Sequence, residues 1–314
     1  GVSCFVCPGW LDDGSRNRLA IQRLKDKCGN RSNASSEVEF RGALGTLIGE
    51  EGRGISAILE MGHLTRIDCA ISSAALMRQA VMQAAHHCSH RRAFQRALID
   101  QPIMQNVLAD LSLEADAAAW LAMRVAAALD AEAGDARERA FNRIAAPIAK
   151  YWICKRAPQA VVEALECHGG NGFIEDGIMP RLYREAPLNG VWEGSGNVIC
   201  LDVLRSMQRE PDSVPALLDE LRAARGVDRR YDAFLAALEN DFADLARQES
   251  QARRFVEKLA VALSASLLLR HGDAKAADAF VASRLGGEWS GHFGALAQGV
   301  DVGALARAAV PLVA

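Results

Sequence analysis

The sequence predicts a mainly α-helical fold that follows a short β-rich segment. The first 50 residues are rich in Gly, Asn and Ser, and the run 35–40 alternates between polar and apolar side chains. After Gly54 the chain becomes rich in Ala, Leu, Met and Arg, and no proline occurs between Pro102 and Pro147. We therefore expect strands first and long helices afterwards.

Three long helices are expected where apolar residues recur every three or four positions. They cover about residues 53–90, 102–131 and 135–169, and helices of this length usually pack antiparallel in a bundle. Two glycine-containing turns interrupt the helical pattern between His168 and Asn197. Turns of this kind between long helices are typical places for a bound ligand.

The composition predicts a globular protein without a membrane span. The chain has 314 residues, 50% of them hydrophobic, and a net charge of -3. Its apolar runs, such as 261–269, are far shorter than the ~20 residues that a spanning helix needs. Eight irregularly spaced cysteines favour reduced thiols and a cytoplasmic location. The chain begins with Gly1 and lacks signal-peptide features, so it looks cut from a longer protein.

The residues best suited to chemistry lie in the segment 184–197. Glu193 stands between Trp192 and Gly194. An indole ring partly shields a neighbouring carboxylate from water, and glycines let the backbone approach a ligand, which suits a general base. The alternative is an exposed acid near the start of the helix that begins close to Asn197.

Two further segments are candidates for binding an anion. Gly169 and Gly170 follow Glu166, and their backbone N–H groups can bind phosphate, although such a turn is also an ordinary helix end. Arg91 precedes Phe94 at another helix end, where an arginine also complements the helix dipole.

No metal site is expected from the sequence. His86 and His90 lie one helical turn apart, but that face offers no third carboxylate or thiol ligand, so a polar helix surface is the preferred interpretation. Cys4 and Cys7 form a C-x-x-C pair, and no second pair follows at zinc-finger spacing.

In their order and spacing, these segments resemble motifs of the acyl-CoA dehydrogenase family. That family has an arginine-x-x-phenylalanine turn, then a Gly-Gly-x-Gly-aromatic turn, then an aromatic-Glu-Gly-Thr/Ser segment. Finer likenesses in residues 24–35, 61–70 and 180–205 point to the AidB-like branch, which is associated with the bacterial response to alkylation damage.

The resemblance implies three domains in the chain. Residues 1–50 match the second half of the family's middle β-domain, and residues 51–207 match its C-terminal four-helix-bundle domain. Residues 208–314 form a helical extension of the AidB-like type. The family's N-terminal helical domain and the first half of its β-domain, which help to cover the flavin, have no counterpart in this sequence.

The resemblance also implies a flavin-dependent dehydrogenase that acts on an acyl-CoA thioester or a related small molecule. Glu193 matches the base that removes the α-proton while hydride passes from the β-carbon to FAD. Its own backbone N–H matches a donor to the thioester oxygen. Arg66 and Trp192 match positions near the substrate.

The FAD cofactor would be shared between subunits of a homo-oligomer, commonly a tetramer. Ser195 and Asn197 match positions that contact the flavin. The positions matching those at the adenosine and pyrophosphate of the cofactor are Arg91, Phe94, Gln101, Glu166, Gly169 and Gly170. Three residues depart from the family pattern: Glu166 for Gln, Gln95 for Gly, and Ser195 for Thr.

A second function class is a DNA-binding protein that protects against alkylation and uses the flavoprotein fold mainly as a scaffold. Residues 209–314 contain 13 Lys and Arg against 15 Asp and Glu, which disfavours duplex DNA unless the basic residues gather on one face. A third interpretation is a truncated product with neither activity. The candidate basic stripe consists of Arg222, Arg225, Arg229, Arg230, Arg253, Arg254 and Lys258.

Overall fold

A computed structural model describes residues 1–245, 249–287, 289 and 291–311 of the chain. Contacts divide it into two compact units, residues 1–65 and 66–314, which are considered separately. The mainly α-helical fold predicted from the sequence is confirmed. None of the helices in the described ranges is long and apolar enough to cross a bilayer.

The strands of the first unit form two antiparallel pairs. The first strand pairs with the fourth and the second with the third, with Cys4 opposite Ile48 and Leu19 opposite Phe40. The strand expected near residues 35–40 is confirmed. The strands are β1 (Cys4–Val6), β2 (Leu19–Leu24), β3 (Ser36–Phe40) and β4 (Thr46–Ile48).

A buried amide connects the loops of this unit. Asn17 is 6% exposed, and its Nδ2 donates to the carbonyls of Pro8 and Leu44, both at 2.8 Å, while its Oδ1 accepts from the N–H of Leu44. A buried amide needs such partners. By contrast, Val38 and Phe40 on β3 remain exposed, so the alternation along this strand does not mark a buried face.

The second unit is built around three long helices, the first of which starts within residues 1–65. They are α1 (Gly54–His90), α2 (Pro102–Ala131) and α3 (Ala136–Glu166). A hairpin of two short strands, β5 (Arg92–Ala93) and β6 (Arg96–Ala97), lies between α1 and α2. All three predicted helices are confirmed. The third is shorter at its end than expected because the chain turns into a 3-10 turn, where Gly169 has a φ of +58°.

Helix boundaries follow local capping chemistry. Asp135 accepts hydrogen bonds from the N–H groups of Arg137 and Glu138 and thereby caps α3. Pro102 occupies the first turn of α2, where its missing N–H costs nothing. After α3 the chain forms α4 (Met179–Glu185) and α5 (Gly196–Arg209), and α5 packs against α3.

The C-terminal extension packs into the same compact unit as the long helices. Helix α8 contacts α2, α3 and α5, and α10 contacts α2. The predicted helical character of this part is confirmed, whereas the domain boundaries at residues 50 and 207 remain predictions. Its helices are α6 (Ser213–Arg222), α7 (Arg229–Leu245), α8 (Ala252–His271), α9 (Ala274–Leu285) and α10 (Val302–Ala308).

A buried ionic cluster joins the extension to α2 and α3. Asp110 and Glu114 on α2 meet Arg156 on α3 and Arg284 on α9, and all four are at most 6% exposed. Arg156 Nη2 and Arg284 Nη2 donate to Glu114 Oε2 at 3.1 and 3.2 Å. Two carboxylates and two guanidinium groups balance in charge, which is what burial of ions requires.

Candidate active site

Glu193 lies in the loop between the 3-10 turn Leu188–Gly190 and α5. Its φ is +58°, and that of Gly194 is +107°. A left-handed backbone costs a non-glycine residue about 1–2 kcal/mol, so the surroundings must impose it. Backbone strain of this kind clusters at functional sites.

Two cationic side chains bind three consecutive carbonyls of this loop. Lys150 donates from Nζ to the carbonyl oxygens of Trp192, at 2.9 Å, and Gly194, at 2.5 Å. Arg66 donates from Nε to the carbonyl oxygen of Glu193 at 3.2 Å. Burial lowers the pKa of the Lys150 ammonium below its ordinary value.

Asp202 orients the two arginines behind the loop. Its Oδ2 lies 2.6 Å from Arg66 Nη1, and its Oδ1 lies 3.3 Å from Arg143 Nη2. Burial alone raises the pKa of Asp202, but the charges of Arg143 and Arg66 outweigh it and hold that pKa below its usual range. The resemblance assigned Arg66 to the substrate; its recorded hydrogen bonds go to Asp202 and to the carbonyl oxygen of Glu193.

Trp192 is anchored through its indole N–H. Nε1 donates to Asn189 Oδ1 at 3.0 Å, and the Asn189 Nδ2 donates to Ser73 Oγ at 3.0 Å. Asn189 is buried and Trp192 is 39% exposed. The indole is therefore fixed at its polar edge, and over a third of the residue remains accessible next to Glu193 in the chain.

The start of α5 carries the two residues matched to flavin contacts. Ser195 is the N-cap residue, but its hydroxyl makes no cap hydrogen bond. Asn197 accepts through Oδ1 from Arg253 Nε of the extension at 2.8 Å. A cavity of about 410 Å³ lies between these elements, lined by Asn197, Cys200 and Arg253 among others.

The hairpin between α1 and α2 presents Phe94 to solvent. Phe94 and Gln95 have φ values of +49° and +65°, as in a two-residue type I′ turn, and Phe94 is 93% exposed. Gln101 Nε2 donates to the carbonyl oxygen of Ala93 at 3.2 Å. Gln101 therefore braces the hairpin that holds Phe94.

Arg91 and the glycine turn line one cavity of about 230 Å³. Gly169 and Gly170 contribute backbone to it, and His87 and His168 add imidazole rings whose centroids are 4.8 Å apart. Burial, followed by the charges of His168 and Arg91, lowers the pKa of His87. Cationic groups and bare backbone together suit an anion.

Glu166 does not line this cavity. It ends α3 and is exposed. The carboxylate that the sequence placed among cofactor phosphates therefore lies outside the cavity wall formed by Arg91 and the two glycines.

The basic residues of the extension are largely paired. Arg222 and Arg225 bind Glu239 at 2.8 and 2.9 Å. Arg230 binds Asp228 and Asp278, both at 2.6 Å. These pairs neutralise much of the candidate stripe, so the structure adds no support for DNA binding.

Sequence reasoning did not place Lys150, Asp202 or Arg253 at this site, and it named Arg253 only as part of the candidate basic stripe. Their hydrogen-bond partners lie 42 to 136 residues away in the chain. Contacts between residues so far apart leave no local pattern in the sequence. A signal existed only for Lys150, which interrupts the apolar run 144–154 on a predicted core helix. All eight cysteines are free, and the described residues contain no cluster of His, Cys, Asp and Glu that suits a metal ion.

A family model for the C-terminal domain of acyl-CoA dehydrogenases matches residues 52–208. The chain belongs to the acyl-CoA dehydrogenase family. It is 46% identical over 239 residues to AidB of Escherichia coli strain K12, a match that covers 76% of this chain and 44% of that protein. The AidB-like resemblance is thus confirmed.

Solved structures of acyl-CoA dehydrogenases share the fold. ACDH-11 of Caenorhabditis elegans in complex with C11-CoA superimposes with a TM-score of 0.80 and 25% identity, over 99% of this chain and 54% of that one. An acyl-CoA dehydrogenase of Bacillus anthracis complexed with FAD gives 0.66 at 16% identity, over 84% of this chain and 54% of that one, which supports the fold alone. This chain spans about half or less of the length of the relatives that it matches.

Proposed function

We propose that this chain carries the base-bearing and cofactor-sharing part of a flavoenzyme that dehydrogenates an acyl-CoA thioester between its α and β carbons. The observation that carries the proposal is the backbone at Glu193. Glu193 has a strained left-handed backbone; Arg66 binds its own carbonyl, and Lys150 binds the carbonyls on either side. Such strain is costly to maintain and clusters at functional sites.

The residues present fit a flavin cofactor. The Ser195 hydroxyl is not used as a helix cap, and Arg91 meets the backbone of Gly169 and Gly170 around one cavity. Members of the acyl-CoA dehydrogenase family bind FAD. In this proposal Ser195 and Asn197 contact the flavin.

The cofactor is shared between subunits in this proposal. Gly169 and Gly170 with Arg91 provide the anion site for its pyrophosphate, and the exposed Phe94, braced by Gln101, contacts its adenosine end. In this proposal the protruding Phe94 reaches the cofactor of a second copy of the chain. A homotetramer is the expected assembly.

The chemistry assigned to this chain's residues is proton transfer and charge stabilisation. Bound FAD supplies the acceptor for hydride from the β-carbon. The α C–H bond breaks with its proton going to the Glu193 carboxylate and its electron pair forming the α,β double bond. The N–H of Glu193 donates to the thioester oxygen, where negative charge develops in the transition state.

The test uses the purified holoenzyme that contains this chain. Saturated thioesters from butyryl-CoA to palmitoyl-CoA are added under anaerobic conditions while the visible flavin band is followed. We expect at least one to bleach the band and to yield a product lighter by two hydrogens in mass spectrometry. A band that stays oxidised with every thioester contradicts the proposal.

A further inference from the structure

Lys150 is a buried cation whose recorded hydrogen bonds all go to one loop. It lies in the middle of α3 at 1% exposure. Removing an ammonium group from water is unfavourable unless partners compensate for the lost hydration. Its Nζ donates to the carbonyls of Trp192 and Gly194, and within the described ranges no carboxylate forms an ion pair with it.

Other charged and titratable groups near Lys150 do not replace these bonds. The Arg66 guanidinium lowers the pKa of the Lys150 ammonium and the Glu193 carboxylate raises it. The thiols of Cys69 and Cys154 also lie close. Arg66 is itself committed to Asp202 and to the carbonyl oxygen of Glu193. The carbonyls on either side of Glu193 therefore depend on Lys150.

Once these bonds are formed, peptide geometry determines which way the Glu193 N–H points. In a trans peptide the C=O and the N–H of the next residue point to opposite sides, and the described residues contain no cis bond. Because the Trp192 carbonyl points at Lys150, the Glu193 N–H points away from it. Among the described residues nothing accepts a hydrogen bond from this N–H.

The second bond fixes the other end of the same turn. The Gly194 carbonyl also points at Lys150, so both peptide planes are held from one side by one nitrogen. A single donor shared by carbonyls two residues apart favours the left-handed backbone observed at Glu193 and Gly194. The carboxylate of Glu193 is thereby placed by the same contact that places its N–H.

We propose that Lys150 is the positioning residue of this site: by binding the Trp192 and Gly194 carbonyls it aims both the N–H and the carboxylate of Glu193 at the thioester. This inference rests on the proposed function, because it assigns Glu193 the role of base. Lys150 itself touches neither substrate nor cofactor.

The test compares Lys150→Met, which keeps an unbranched side chain one atom shorter than lysine and removes its donors, with Lys275→Met. Lys275 forms an exposed pair with Asp301 on the extension and serves as the matched control. Two quantities are measured on the holoenzyme: the rate of flavin reduction at saturation with the best thioester of the series, and the Glu193 φ angle in crystals of each variant.

We expect Lys150→Met to reduce the flavin roughly 100-fold more slowly, with an unchanged dissociation constant for the thioester, because misplacing reacting groups lowers the rate of the chemical step. Its Glu193 φ should leave the positive region. Lys275→Met should match wild type in both. If Lys150→Met does not fold, Lys150→Gln, which retains one amide donor, is used and should show an intermediate loss of rate.

Two failures are distinguishable. If Glu193→Gln is nearly inactive while Lys150→Met, or Lys150→Gln in its place, keeps wild-type reduction rates and a positive φ at Glu193, the positioning role is overturned and the proposed function stands. If Glu193→Gln reduces flavin at the wild-type rate, the proposed function itself fails.

Discussion

Asp202 is the residue through which the arginines behind the Glu193 loop are held together. It binds Arg66 and Arg143 and is buried. Arg66 in turn binds the carbonyl of Glu193. Loss of the Asp202 charge therefore affects both the stability of the fold and the geometry of the candidate base.

We predict that Asp202→Asn lowers the free energy of unfolding by about 2 kcal/mol at neutral pH, since hydrogen bonds to charged groups contribute about 1.5–3 kcal/mol. In the folded protein the pKa of Asp202 lies below its ordinary value, so its stabilisation is fully present well above that ordinary value and is lost as the pH falls through the lowered pKa.

Urea unfolding at a series of pH values checks this prediction. The difference between wild type and Asp202→Asn should shrink as the pH falls from neutral through the ordinary pKa of an aspartate and toward the lowered pKa of Asp202. A difference that stays constant through this range would show that the Asp202 charge does not stabilise the fold.

At the same scale, the sequence pointed to Glu193 as a candidate base but not to the residues that support its loop. Glu193 and Trp192 stand in a short segment whose composition points to a ligand site. Lys150 reaches that segment from 42 and 44 residues away, and only the packing of α3 against the loop brings them together. Local composition contains no information about such contacts.

Among the elements, the long helices were predictable and their connections were not. Apolar spacing located α1, α2 and α3 because each buries a continuous face. The hairpin β5–β6 lies between two of them and has only two residues in each strand. So short an element leaves no periodic signal.

The hairpin turn is strained at Gln95, whose φ is +65°. We predict that Gln95→Gly raises the free energy of unfolding by about 1 kcal/mol, because glycine adopts a φ near +65° without steric cost. Gln79→Gly, on α1, is the control and should instead destabilise by about 1 kcal/mol. If urea unfolding shows that both changes lower the free energy of unfolding by the same amount, the turn is not strained.

For the whole molecule, the extension is part of the folded core of residues 66–314. The sequence predicted its helices but not this packing, because Arg284 meets Asp110 across 174 residues of chain. Burial alone raises the pKa of Glu114, but Arg156 and Arg284 outweigh that effect and lower it.

We predict that Arg284→Met lowers the free energy of unfolding by roughly 3–5 kcal/mol, because it leaves Asp110 and Glu114 with too little positive charge in a buried site. Lys275→Met removes an exposed pair and should leave stability nearly unchanged, because such pairs are screened by solvent. Similar midpoints for the two variants in thermal unfolding would mean that the extension does not stabilise the bundle.

The proposed role of Glu193 as the base of an acyl-CoA dehydrogenation can be measured by rapid mixing, which follows flavin reduction in the holoenzyme and in its Glu193→Gln variant. Glu51→Gln, at an exposed position of the first unit, is the control. We expect full flavin content in all three proteins and a reduction rate roughly 100- to 10,000-fold lower in Glu193→Gln alone. A Glu193→Gln protein that keeps its flavin and reduces it as fast as wild type would contradict the claim.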